Sequence, residues 1–221
     1  MEELFNIERV LGFCEKICYF FTVNLLFILS NIPVLLFLLF VGAGKIRECL
    51  PLFLLCLVPT APALSAVMYA MNRLIRGTEG RALRDYKRGY CTDFMQKALL
   101  GAGQLLAILI CWKNIEFFSI QIRIFPLVIL FVLLFAAAVL VTPNLYMLAS
   151  RYKMGNPEIV RTAVTLMIAK PVFTLGNIVA LLLILAAFEI SAGTTVLFMG
   201  SVYGFLVMFM NQSVMKKLEE R

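Results

Sequence analysis

What most limits the fold of this chain is the recurrence, along almost its whole length, of apolar runs near the roughly 20 residues that a helix needs to cross the roughly 30 Å hydrocarbon core. The runs cover about 17–41, 50–74, 98–112, 124–150, 171–190 and 192–211. The third is short unless it borrows the turn beginning at Asp93. Only 15% of the 221 residues are charged and 62% are hydrophobic, whereas a soluble domain carries roughly 25% charge. A water-soluble fold is therefore excluded, and the expectation is all-α: a polytopic membrane helical bundle of about six transmembrane helices, filling 1–221 as a single membrane domain. The place is a cell membrane, multi-pass. The first apolar run has no small-residue cleavage site and is expected to stay as the first span.

The net charge of +7 would suggest nucleic acid in a soluble protein. Here the cations sit between spans, where they set topology instead. Lysine and arginine in the amino-terminal tail, the second and fourth connections and the carboxy-terminal tail outnumber those in the other three connections by sixteen to four. Both termini are accordingly expected in the cytoplasm. Residues 1–16 place Leu4, Ile7, Leu11 and Cys14 on one face, the pattern of an interfacial helix. The cytoplasmic loops are 73–97 and 151–170. In the first, Leu83, Tyr86, Tyr90 and Phe94 recur at helical spacing, while Arg81, Arg84, Lys87 and Arg88 fill other positions. That is an amphipathic helix, with Arg81, Arg84, Tyr86, Lys87 and Arg88 as candidates for docking a protein partner or anionic lipid. In the second, Asn156 is expected to cap a helix with Pro157 in its first turn.

Within the spans the polar content is slight. Asn24, Asn31, Thr60, Gln104, Asn144, Asn177 and Asn211 carry most of it, and hydrogen bonds between helices are the ordinary use of such groups. A sharper reading follows from the prolines. Asn31 with Pro33, Thr60 between Pro59 and Pro62, and Asn144 after Pro143 mark candidate helix breaks, whose freed backbone groups, with Asn24 nearby, can line a cavity for an uncharged polar solute. Ala63, Ala66 and Ala70 form a stripe on which another helix can pack closely. Gly200 and Gly204 form a G-x-x-x-G pair, expected to pack inside the monomer, with a homo-oligomer face as the alternative.

The six cysteines, at 14, 18, 49, 56, 91 and 111, contain no C-x-x-C pair, and the chain has no histidine. No metal site and no cofactor is expected. Cys49 and Cys111 both fall near the outer surface, where a disulfide between them is a remote alternative to free thiols. With no nucleophile beside a base, no phosphate loop and no carboxylate pair, the chain is not expected to be an enzyme.

Several short motifs resemble the YesL-like family of bacterial integral membrane proteins, whose function is not established. They are Asn24-Leu25-Leu26, the Asn-x-Pro of Asn31 to Pro33, Pro59-Thr60-Ala61-Pro62-Ala63, the turn Arg76-Gly77-Thr78-Glu79-Gly80, then Arg84-Asp85-Tyr86-Lys87-Arg88 and Asp93-Phe94. The chain departs from the family pattern at Thr78-Glu79, where a Glu-Glu turn is usual, has Pro59-Thr60-Ala61-Pro62-Ala63 in place of a Pro-Thr-x-x-Pro-Ala-like break, and only approximates the aromatic after Asn-Leu-Leu with Phe27. The resemblance implies a small helical membrane protein, associated by context with carbohydrate uptake systems of the ABC type. Expected partners are then the lipid bilayer, anionic lipid at the cytoplasmic face and ABC transporter subunits, without nucleic acid. A stand-alone solute carrier, a membrane solute-binding subunit and a structural or lipid-organising protein are the alternatives.

Overall fold

The computed structural model describes residues 2–212 and 215, with side chains described throughout except at 2–10, 122, 192 and 194. Every regular element among the described residues is helical. The order is α1 (Glu2–Ser30), α2 (Ile32–Phe40), α3 (Leu50–Leu57), α4 (Thr60–Ile75), α5 (Ala82–Cys91), α6 (Phe94–Phe117), α7 (Phe125–Arg151), α8 (Asn156–Ala169), α9 (Pro171–Ile190), α10 (Ala192–Val196) and α11 (Met199–Met210). A 3-10 turn at Ala43–Lys45 and a π-type turn at Phe118–Ile122 complete the set. Among the described residues, five stretches are long and apolar enough to cross a membrane: Leu11–Ser30, Leu50–Ile75, Phe94–Gln121, Phe125–Arg151 and Pro171–Ile190. The chain is a multi-pass membrane protein.

The helices depart from the expected boundaries at the first, third and last spans. Residues 1–16 do not form a separate surface helix, because α1 runs without a break from Glu2 through Lys16 to Ser30. The lead and the first span are one rod. The third span is not short: α6 starts at Phe94, directly after the Asp93 turn, and has 24 residues. The last span is not one helix but two, α10 and α11, separated at Leu197–Phe198. Its longer piece has 12 residues.

At the centre lies α4, which touches α1, α5, α6, α7 and α11. Its small side chains explain this position, since Ala61, Ala63, Ala66 and Ala70 are 3% exposed or less and let neighbouring backbones approach. At Gly101 of α6 an added Cβ would fall 2.2 Å from the Ala61 Cβ, and at Gly89 of α5 it would fall 3.0 Å from the Ala66 Cα. The alanine stripe is therefore a helix-packing surface. Outward faces carry large apolar residues such as Phe125, Ile129, Leu133, Leu182 and Ile190, the surface a lipid-facing bundle presents.

Arg73, Arg76, Arg151 and Lys153 gather at one end, the basic end, where Gln96 of α6 donates to the Met154 carbonyl. Tyr19 and Met215 lie at the same end, against Ala70 and Tyr152 respectively. At the opposite end Arg47 pairs with Glu116 at 3.6 Å.

Candidate functional site

The most highly organised polar structure is the mounting of α5 at the basic end. The chain leaves α4 through Gly77, whose φ of +64° is a conformation that side chains disfavour. This turn folds the Thr78 carbonyl back onto Arg73, whose Nε donates to it at 3.0 Å. The guanidinium Nη1 of Arg73 then donates to Asp85 Oδ1 at 2.5 Å. Asp85 Oδ2 accepts from the Gly80 backbone N–H at 2.8 Å and from the Tyr19 hydroxyl at 3.1 Å. The carboxylate is completely buried. A charge there is tolerable because a cation and two neutral donors surround it.

The other end of α5 is fixed by a charge of opposite sign. Asp93 takes the left-handed conformation, φ +52°, and turns the chain into α6. One turn later Lys97, only 3% exposed, points its Nζ back to the carbonyls of Gly89 and Thr92 at 2.7 and 2.8 Å. These are among the acceptors that a helix end leaves without partners, and a cation also suits the negative end of the helix dipole.

Tyr86 corrects an expectation. It is not a docking residue on the surface: it is 4% exposed, and its hydroxyl donates to Ser30 Oγ at 2.9 Å. Burial pushes its phenol above the usual range, with the Ser30 hydrogen bond pulling in the other direction. Its ring lies 6.1 Å from that of Tyr90, which in turn lies 5.3 Å from Phe94. The aromatic row therefore stacks on itself along the helix. Opposite it, Arg84, Lys87 and Arg88 are exposed and, with Cys91 and Thr92, border a shallow depression of about 440 Å³. Arg81 faces a different cleft, of about 640 Å³, beside Glu15, Lys16 and Glu79. What the α5 face offers chemically is three cations on an immobilised helix, suited to an acidic surface.

The polar groups inside the spans bond to one another. The expected breaks at Asn31 and at Val58–Pro59 are present, and they meet: the Thr60 hydroxyl donates to Asn31 Oδ1 at 2.6 Å. The Asn31 amide donates to the Phe27 carbonyl at 2.8 Å, close to where Pro33 removes a backbone donor. Pro62 sits buried in the first turn of α4, a position helices tolerate. Asn24, wholly buried, ties together the broken last span by donating to the Val196 carbonyl at 2.8 Å and accepting from the Gly200 N–H at 2.8 Å. Asn144 of α7, Asn177 of α9 and Asn211 just past the end of α11 form a ladder, with Asn177 donating to Asn144 at 3.1 Å and Asn211 to Asn177 at 2.9 Å.

Two further expectations are corrected here. Pro143 does not break its helix, since α7 continues through it from Phe125 to Arg151. Near it, the Ala138 carbonyl accepts from the Thr142 hydroxyl at 3.1 Å and from Gln104 of α6 at 3.3 Å, which ties α6 to α7 at this level. Asn156 does not cap α8: it is the first helical residue, Gly155 holds the cap position, and the Asn156 amide reaches to the Gln96 carbonyl instead. Gly200 and Gly204 pack within the monomer, where an added Cβ would lie 2.9 Å from Asn24 and 2.6 Å from Val67. The six cysteines are free thiols. No group of acids and cysteines suited to a metal occurs among the described residues.

Sequence reading did not find Arg73, Asp85, Tyr19 and Lys97 as a working set. The available signal was one acid inside Arg84-Asp85-Tyr86-Lys87-Arg88, preceded by a glycine-bounded turn.

Comparison with known proteins gives one family. Residues 20–115 match the family model described as a protein of unknown function, DUF624. No curated protein and no solved structure matches the chain. The matched region contains both helix breaks and the α5 mounting except Tyr19.

Proposed function

Because the chain belongs over residues 20–115 to the DUF624 (YesL-like) family, membrane proteins of unknown function, we propose that it is an accessory component of a bacterial ABC-type carbohydrate uptake system. Its task there is to present α5 at the cytoplasmic face as a docking element for a transporter subunit. The observation that carries this reading is the division of labour on α5. Asp85, Tyr86 and Gly89 are buried and fix the helix, while Arg84, Lys87 and Arg88 are left exposed on its far side. A helix held this firmly loses little conformational freedom when a partner binds, and its charges select an acidic partner surface. The link to carbohydrate uptake rests on the family resemblance alone.

A stand-alone carrier for an uncharged polar solute has less support. The groups suited to bind such a solute, Asn24, Asn31, Thr60, Asn144, Asn177 and Asn211, already bond within the bundle.

The test is co-purification of the tagged full chain from its native membrane in mild detergent, beside a variant carrying Arg84→Glu, Lys87→Glu and Arg88→Glu. The expected result is recovery of transporter subunits with the unaltered chain and their loss from the variant at an unchanged melting temperature. Recovery of no transporter subunit with the unaltered chain overturns the proposal.

A further inference from the structure

Where α8 lies against α6 and α7, a groove of about 840 Å³ opens on the surface. Its α6 and α7 walls include Gly103, Ala107, Ala137 and Ala138, and its α8 wall is made by Val160 and Val164, which are 42% and 36% exposed. Small side chains keep it deep. An added Cβ on Gly103 would meet nothing within 4 Å, so this glycine borders open space, unlike Gly101 two residues earlier. Gln104, whose Oε1 is buried without a donor, interrupts the apolar α6 wall, and Asn156 and Arg161 make the lining polar at the basic end. Arg161 is exposed and has no ion-pair partner among the described residues. Asn156 Oδ1 is buried without a donor.

We propose that this groove holds one acyl chain of an anionic phospholipid whose headgroup bears hydroxyl groups, with the phosphate against Arg161 and a headgroup hydroxyl donating to Asn156 Oδ1. Each part answers a feature of the site. Apolar walls formed by two membrane spans suit a hydrocarbon chain, and the small residues provide its room. An unpaired arginine at the end of that channel attracts a phosphate. A buried acceptor without a donor is costly, and a hydroxyl satisfies it. A transmembrane helix of another protein would also fit against small residues, but it would leave Arg161 without an anion and Asn156 without a donor. The proposal is independent of the function assigned to α5.

The experiment offers the detergent-solubilised full chain equal amounts of phosphatidylglycerol, phosphatidylserine and phosphatidylcholine, and reads the retained lipid by native mass spectrometry. Phosphatidylglycerol should be retained above the other two. Arg161→Gln should lower its retention about fivefold, the effect of one cation near an anionic headgroup. Asn156→Leu should remove the preference over phosphatidylserine. Gly103→Leu places a side chain in the open groove while improving helix propensity, so it should displace all three lipids from a folded protein, with folding checked by the melting temperature. The α5 variants Lys87→Gln and Arg88→Gln should retain lipid normally. Equal retention of phosphatidylglycerol by the unaltered chain and Arg161→Gln overturns the proposal. So does unselective retention of phosphatidylcholine, or loss through the α5 variants instead.

Discussion

Asp85 is the residue on which most depends. Replacing it with Asn leaves the Arg73 guanidinium beside a neutral amide, and breaking a mostly buried pair of this kind costs about 3 to 5 kcal/mol. Asp85→Asn should therefore show a large drop in unfolding free energy in micelles. Tyr19→Phe, which removes one donor from the same carboxylate, should cost about 1 kcal/mol. The exposed Arg84→Gln should change stability by no more than about 0.5 kcal/mol. Equal effects from Asp85→Asn and Arg84→Gln would refute the assignment of inner and outer faces. The inner face was not legible in the sequence. The spacing of Leu83, Tyr86, Tyr90 and Phe94 describes an apolar stripe, but Leu83 is 58% exposed, whereas Asp85 and Gly89 are buried. Asp85 owes its burial to Arg73 and Tyr19, 12 and 66 residues away, and local periodicity carries no trace of partners at that range.

Among the elements, helix breaks and close crossings differ in how plainly the sequence announces them. Pro59 and the Asn31-x-Pro33 unit interrupt their spans, whereas Pro143 does not. Near Pro143, Gln104 of α6 donates to the Ala138 carbonyl of α7, a contact between helices that the sequence does not announce. The split of the last span depends likewise on Asn24, which reaches it from 172 and 176 residues away. The crossing of α4 and α6 makes a direct prediction. Gly101→Ala sets a methyl into the space of the Ala61 Cβ and should destabilise by about 1 to 3 kcal/mol, as overpacking does. Adding Ala61→Gly should recover most of that loss in a double-mutant cycle. For the asparagine ladder, Asn177→Leu should cost about 0.6 to 1.7 kcal/mol, the measured range for hydrogen bonds between membrane helices, and solute uptake should play no part in its phenotype. α5 follows α4, and α8 follows α7, as a short helix at the basic end before the next span. The two basic sequence loops thus became packed helices, each with a buried face.

For the molecule as a whole, the distribution of lysine and arginine was the strongest sequence signal, and the structure gathers Arg73, Arg151, Tyr19 and Met215 at one end. Sidedness in the cell is checked by cysteine scanning in a background without the six native cysteines. Lys113→Cys should react with a membrane-impermeant thiol reagent on intact cells, and Arg88→Cys only after permeabilisation; the reverse pattern would invert the topology. What the sequence left open was how tightly the basic end is built, because that is a matter of side chains meeting across helices. The anchoring of α5 by Asp85 at one end and Lys97 at the other has a consequence for ionic strength. The anchoring charges are buried, opposite in sign and poorly reached by counterions. The outward Arg84, Lys87 and Arg88 face solvent, where the screening length falls from about 8 Å at physiological salt to about 3 Å at 1 M. Concentrated salt should then strip an acidic partner from α5 while hydrogen exchange along the helix stays as slow as before, so the surface can be emptied without being dismantled.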